Sequence, residues 1–265
     1  PGLDFEARLF AKHDAPALLR RELGRPNYHP AVIAIGTNTD PYQPIERRLK
    51  IMRGVLEVLA ETRHPVSITT KSDGVVRDVD ILGAMARQNL VHVTISVTTL
   101  DRRLARTLEP RAATPGKRLD AIAALAGAGV PTAVNVAPII PGLTDHELEA
   151  ILSAAADRGA GFARFIPLRL PLEVQDLFVE WLEGNYPDRK AKVLSLVRGM
   201  RGGKLNESTF GDRMRGSGPY AEIIAKRFNL AVARLGLDCR DEEAWLDTRA
   251  FRRPEAPTGQ LALDL

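Results

Sequence analysis

The chain has 265 residues, 45% of them hydrophobic and 26% charged, the balance of a globular protein with room for one large domain or two modest ones. No apolar run is long enough to span a bilayer and no signal peptide is visible, so a cytoplasmic protein is expected. The single cysteine, Cys239, excludes an internal disulfide framework, and a net charge of +4 permits an anionic partner without requiring one.

In chain order, alternation at Phe5, Ala7, Leu9 and Ala11 predicts a strand. A short helix follows from Pro16 to about Leu23. Ala31-Val32-Ile33-Ala34-Ile35 reads as a buried strand, closed by Gly36 and followed by Thr37, Asn38, Thr39 and Asp40. Ile45, Leu49, Met52, Leu56 and Leu59 recur at helical spacing. The next strand is predicted at Val66–Thr70, then a helix with Ile81, Leu82 and Met85 inward, then a strand at Val91–Val97. Thr114 and Pro115 suit the start of a helix striped by Leu119, Ile122 and Leu125. A strand at Thr132–Ala137 leads to Thr144-Asp145-His146-Glu147, which has the pattern of a capping box. A fifth strand is predicted at Phe162–Pro167. The repeat of roughly 30 residues is that of strand-helix-strand crossover units and implies a parallel sheet, as an open sheet or a half-open barrel. From Pro171 the pattern is helical, and the tail from Arg252 is expected to fray. The division expected is therefore a core over 1–170 and a helical extension over 171–265.

Parallel-sheet proteins bind ligands at the carboxyl ends of their strands. Those ends carry Thr37, Asn38 and Asp40, then Lys71 and Ser72, Ser96 and Thr98, Asn135, and Arg164 and Arg169. The set suits a zwitterion: Asp40 or Asn38 for an ammonium, Lys71 and Ser96 for a carboxylate. Thr98, Asp101, Ser72 and Asp73 equally suit turns and caps. Lys71 does not, because an amine ending a buried strand must meet an anion. The five histidines are scattered without metal-ligand spacing, and no nucleophile-base set stands out. Arg198, Arg201, Lys204, Arg213 and Arg215, with Phe210 and Tyr220 nearby, could bind a nucleic-acid backbone or form a solvated loop.

The blocks GTNTDPYQPIE, ITTKSD, ISVTTLD, LEPRAATPGKRLDAI and NVAPIIPGLTDHE, in this order, resemble the DNA-repair-photolyase-like radical S-adenosylmethionine (SAM) proteins, relatives of spore photoproduct lyase. The resemblance covers Phe5 to about Leu237. It implies an α/β fold, a partial (β/α)6 barrel of the radical SAM type lacking its first unit. It implies S-adenosylmethionine and a 4Fe–4S cluster as cofactors, reductive cleavage of S-adenosylmethionine to a 5′-deoxyadenosyl radical, and a reductant such as flavodoxin or ferredoxin. The cluster's three-cysteine loop, CxxxCxxC, is missing from this chain; Pro1 stands just beyond where it would lie, so a truncated or trimmed protein is expected, inactive as it stands. No metal ligand is assigned. By resemblance Thr37 meets the methionine amino group with Asn38 and Asp40 behind it, Lys71 the carboxylate, Ser96 the carboxylate or ribose, and Asn135 and Ala137 flank the adenosine. No hydrogen-donor cysteine has a counterpart, so the resemblance leaves the substrate open, nucleic acid or peptide among the candidates. Two other readings stand beside it: a cluster-free S-adenosylmethionine-binding module, and a non-radical barrel lyase using Lys71 as a Schiff base.

Overall fold

A computed structural model describes residues 10–206, 212–239 and 246–254. The predicted strand at Phe5 falls mostly outside these residues, and Phe10 and Ala11 belong to no strand. Helix α1 spans Ala15–Leu23 with its proline in the first turn, as the sequence predicts. Strand β1 is shorter than its apolar run, Ile33–Ile35. Gly36 then turns the chain at φ +92°, where an added Cβ would lie 1.9 Å from the Thr69 carbonyl oxygen. No other residue fits there.

The helical pattern of residues 45–59 is divided. Helix α2 (Glu46–Leu49) ends at Lys50, which takes a left-handed conformation at φ 52°, and α3 (Ile51–Glu61) begins after it. Glu46 caps that second start, its carboxylate accepting from the Ile51 and Met52 amides at 3.0 Å each. Periodicity alone does not mark this break, because the stripe resumes in phase.

Strand β2 (Val66–Thr70), helix α4 (Val79–Ala86) and strand β3 (Val91–Val97) follow. Helix α5 (Arg102–Leu108) is new to the reading; Asp101 caps it, accepting from the Arg103 and Leu104 amides at 2.7 and 3.3 Å. Helix α6 runs Pro115–Gly127, yet Thr114 makes no side-chain cap. Strand β4 extends over Thr132–Ile139, two residues past its prediction. The capping box does not form. Thr144 Oγ1 instead accepts from the Ile140 amide at 2.9 Å, and the Glu147 carboxylate is taken by Thr99 Oγ1 and the Leu100 amide. Helix α7 (Leu148–Ala156) therefore starts after one 3-10 turn. Strand β5 is Phe162–Pro167.

The five strands are parallel in the order β1-β2-β3-β4-β5, an open sheet rather than a closed barrel. This is the partial barrel that the sequence implies. One face carries Ile68, Val91, Val93, Ile95, Val97 and Val134, all fully buried with the flanking helices. The other face carries Ser67, His92, Thr94, Ser96 and Asn135, polar and yet buried. Helices α8 (Val174–Asn185), α9 (Pro187–Gly199), α10 (Asp212–Arg215) and α11 (Gly218–Leu235) complete the chain. Phe178, Leu182, Val193 and Val197 build a second cluster with Leu104, Ile140 and Leu168, while Ile224, Phe228 and Val232 of α11 enter the main core. The tail as far as it is described is tied down rather than frayed. The Arg252 amide donates to the Thr62 carbonyl at 2.7 Å, and Phe251 packs on Tyr28 and His64.

Candidate functional site

Register brings the strand ends together. Thr70 pairs with Ile95, so Lys71 stands level with Ser96; Ser96 pairs with Asn135, and Asn135 with Arg164. Paired residues share a face, so four strands present one polar row, at the ends of β2 and β3 and midway along β4 and β5. Within it Ser96 and Asn135 are 4% and 6% exposed, and Asn135 Oδ1 is a buried acceptor with no hydrogen-bond partner in the protein. A buried oxygen left without a donor is costly unless a ligand or water supplies one.

Beside the row lies an open cavity of about 650 Å³. Asn38, Thr39, Asp40 and Lys71 supply its polar wall, and Tyr42, Ile45 and Met52 its apolar wall. The structure thus brings Asn38, Asp40 and Lys71 to one cavity. Ser96, Asn135 and Ala137 continue the same edge of the sheet without lining it, and Thr37 is exposed next to Gly36.

Asp40 is largely committed to the fold. Its Oδ1 accepts from the Tyr42 amide at 2.9 Å and from Thr70 Oγ1 at 2.7 Å, and its Oδ2 accepts from the Lys71 amide at 2.8 Å. One lone pair on Oδ2 remains by count. The anion that Lys71 was expected to need is Glu109, whose carboxylate contacts Nζ directly. Thr98 Oγ1 lies 2.9 Å both from Glu109 Oε1 and from the Ala137 carbonyl oxygen. Arg118 Nη2 donates to Glu109 Oε2 at 2.6 Å, Nη1 to the Ser96 carbonyl at 3.1 Å and Nε to the Ala113 carbonyl at 2.8 Å. Burial pushes the Glu109 carboxyl up, but the charges of Lys71 and then Arg118 outweigh it and hold it below the ordinary carboxylate range.

The sequence reading missed Glu109 and Arg118. Arg118 left a signal. It falls on the same helical face as Leu119, Ile122 and Leu125, and an arginine on a core-facing stripe has to meet an anion. Glu109, in an irregular loop before a proline, left none. Ser72 and Asp101 serve as caps, as their residue types suggest. The basic segment needs correction at Arg201, which is 2% exposed and donates to the Pro167 and Leu168 carbonyls at 3.1 and 3.0 Å. It anchors the loop instead of facing a polyanion. Arg198, Lys204 and Arg215 are exposed; Phe210 and the Arg213 side chain lie outside the described residues.

The profile of the Radical SAM superfamily matches residues 12–155. The chain belongs to the radical SAM superfamily. An uncharacterized protein of Mycobacterium tuberculosis (strain H37Rv), Rv2578c, is 36% identical over 260 residues, covering 97% of this chain and 73% of that protein. An uncharacterized protein of Methanocaldococcus jannaschii, MJ0683, is 31% identical over 156 residues, 59% of this chain and 57% of that one. Among solved structures, a mutant of spore photoproduct lyase with bound AdoMet and dinucleoside spore photoproduct superposes with a TM-score of 0.61 at 18% identity. The match covers 87% of this chain and 66% of the lyase, so the chain spans about two thirds of that protein, and the likeness shows the fold alone.

The family implies two cofactors, and the residues treat them differently. S-adenosylmethionine fits: the cavity and row offer cation, hydroxyls, amides and an acceptor still lacking a donor. A 4Fe–4S cluster does not. The chain has one cysteine, Cys239, exposed, and no group of three or more metal-binding side chains occurs among the described residues. Nor is any helix among them long and apolar enough to cross a membrane.

Proposed function

We propose that this chain carries the S-adenosylmethionine site of a radical SAM enzyme, with the cluster's thiolates contributed from outside these 265 residues. The observation that carries the reading is the polar row Lys71–Ser96–Asn135 across neighbouring strands, with the unpartnered Asn135 oxygen inside it. In this reading Thr37, Asn38 and the remaining lone pair of Asp40 meet the methionine ammonium, Lys71 and Ser96 meet the carboxylate, and Asn135 and Ala137 flank the adenosine. These residues would hold and orient S-adenosylmethionine, and a cluster bound by thiolates elsewhere would supply the electron for its cleavage. The chain alone would then bind the cofactor without cleaving it.

Nucleic acid is the substrate class we favour. What supports it is the exposed set Arg198, Lys204 and Arg215, suited to a phosphate backbone, together with a fold shared with an enzyme whose structure holds a dinucleoside. A reductant of the flavodoxin or ferredoxin kind and a cytoplasmic location belong to the same proposal. The Schiff-base reading is disfavoured by the contact of Lys71 Nζ with Glu109, since an ammonium paired with a carboxylate is not the neutral amine that a carbonyl requires.

The test is made on the full-length protein, loaded anaerobically with iron and sulfide and reduced with dithionite in the presence of S-adenosylmethionine. Methionine and 5′-deoxyadenosine are the expected products. Tight binding without cleavage by the cluster-loaded protein would point to a binding module instead.

A further inference from the structure

Lys71, Glu109 and Arg118 form a line of charge, plus, minus, plus, across the ends of β2 and β3. Two of the three are sealed. The Arg118 side chain is 1% exposed and each of its three bonding nitrogens donates to a protein oxygen; Glu109 is 9% exposed and holds donors on both oxygens. The third is not: the Lys71 side chain is 33% exposed and lines the cavity. One anion between two cations leaves a single excess positive charge, and its accessible end is the ammonium of Lys71.

We propose that Glu109 is a positioning residue for the cofactor, holding the Lys71 ammonium at the cavity wall where it meets the carboxylate of S-adenosylmethionine. This deepens the reading of the site given above and rests on it. Left alone, an ammonium on a four-carbon stem samples many rotamers and spends much of its time in water. Glu109 removes that freedom because it is itself fixed, by Arg118 on Oε2 and by Thr98 on Oε1. The same clamp reaches a further candidate residue, Ser96, whose carbonyl accepts from Arg118.

The test compares two ligands by equilibrium binding to the full-length, cluster-loaded protein. S-adenosylmethionine carries the amino-acid group; 5′-methylthioadenosine keeps the nucleoside and lacks it. For Glu109→Gln, the dissociation constant of S-adenosylmethionine is expected to rise about tenfold while that of 5′-methylthioadenosine moves by under about twofold. Thr98→Val, which takes one hydrogen bond from Glu109 and keeps the side chain's shape, is expected to show the same selectivity at smaller size, and it serves if Glu109→Gln does not fold. Equal weakening of both ligands, or of neither, overturns the positioning role. A wild-type protein that binds neither ligand overturns the site reading, and the role with it.

Discussion

Arg118→Met removes the buried end of the charge line while keeping most of the side chain's volume. In the wild type the guanidinium is 1% exposed and serves three oxygens, of Glu109, Ser96 and Ala113. Truncating one partner of a buried ion pair costs about 3–5 kcal/mol, because the other charge stays behind. Lys71 and Thr98 remain on Glu109 Oε1, which favours the lower end, and two carbonyls losing donors add about 1 kcal/mol each. The expected loss is about 5 kcal/mol, read as a urea midpoint lowered by about 2 M. The pH dependence should change as well. Glu109 is held below the ordinary carboxylate value when folded, so it contributes stability that is present above about pH 4.3 and lost as pH falls through its lowered value. Without Arg118 burial weighs more and the folded value rises, so the acid-side loss contributed by Glu109 should shrink and the deficit relative to wild type should narrow as pH falls. A midpoint unchanged at neutral pH, with the same acid limb as wild type, would refute the claim that this carboxylate is held by Arg118.

Gly36→Ala should cost at least about 3 kcal/mol or prevent folding, since the new Cβ would overlap the Thr69 carbonyl at a φ of +92°; a stability within experimental error of wild type would contradict that geometry. Asp40→Ala removes three hydrogen bonds, two of them from main-chain amides, and should lower stability by about 2 kcal/mol in urea unfolding; no loss would mean that the carboxylate serves a ligand rather than the turn. His64 is fully buried, and burial lowers its pKa despite its hydrogen bond with the Pro65 carbonyl. The unfolded chain therefore takes up the proton first, so stability is full above about pH 6.5 and falls as pH drops through the lowered folded value. His64→Gln should flatten that slope, measured by urea unfolding at several pH values; an unchanged slope would assign it to another group.

What the sequence made legible was local. Val66–Thr70, Val91–Val97 and Phe162–Pro167 are strands at the residues predicted, because short runs of branched apolar residues between turn signals have few alternatives. The illegible parts depend on distant partners. Lys50 breaks a stripe that continues in phase, and the break is set by where Glu46 can cap. Thr144 and Glu147 carry the capping pattern but bond to Ile140, Thr99 and Leu100 instead. Lys71 at the end of a buried strand calls for an anion, but the anion lies 38 residues away in a loop with no periodicity. That Ser96 and Asn135 would sit side by side followed from β-strand register, which composition does not encode.

That register has a consequence for how this protein tolerates insertions and deletions. Neighbouring strands lie about 4.8 Å apart and alternate residues point to opposite sides. Deleting one residue within Val91–Val97 would carry Ser96 to the helix-packed layer and thrust a valine among the hydroxyls and amides. Changes of length are therefore expected in the connections on the amino side of the sheet, while the spacing inside each strand stays fixed in any working homologue.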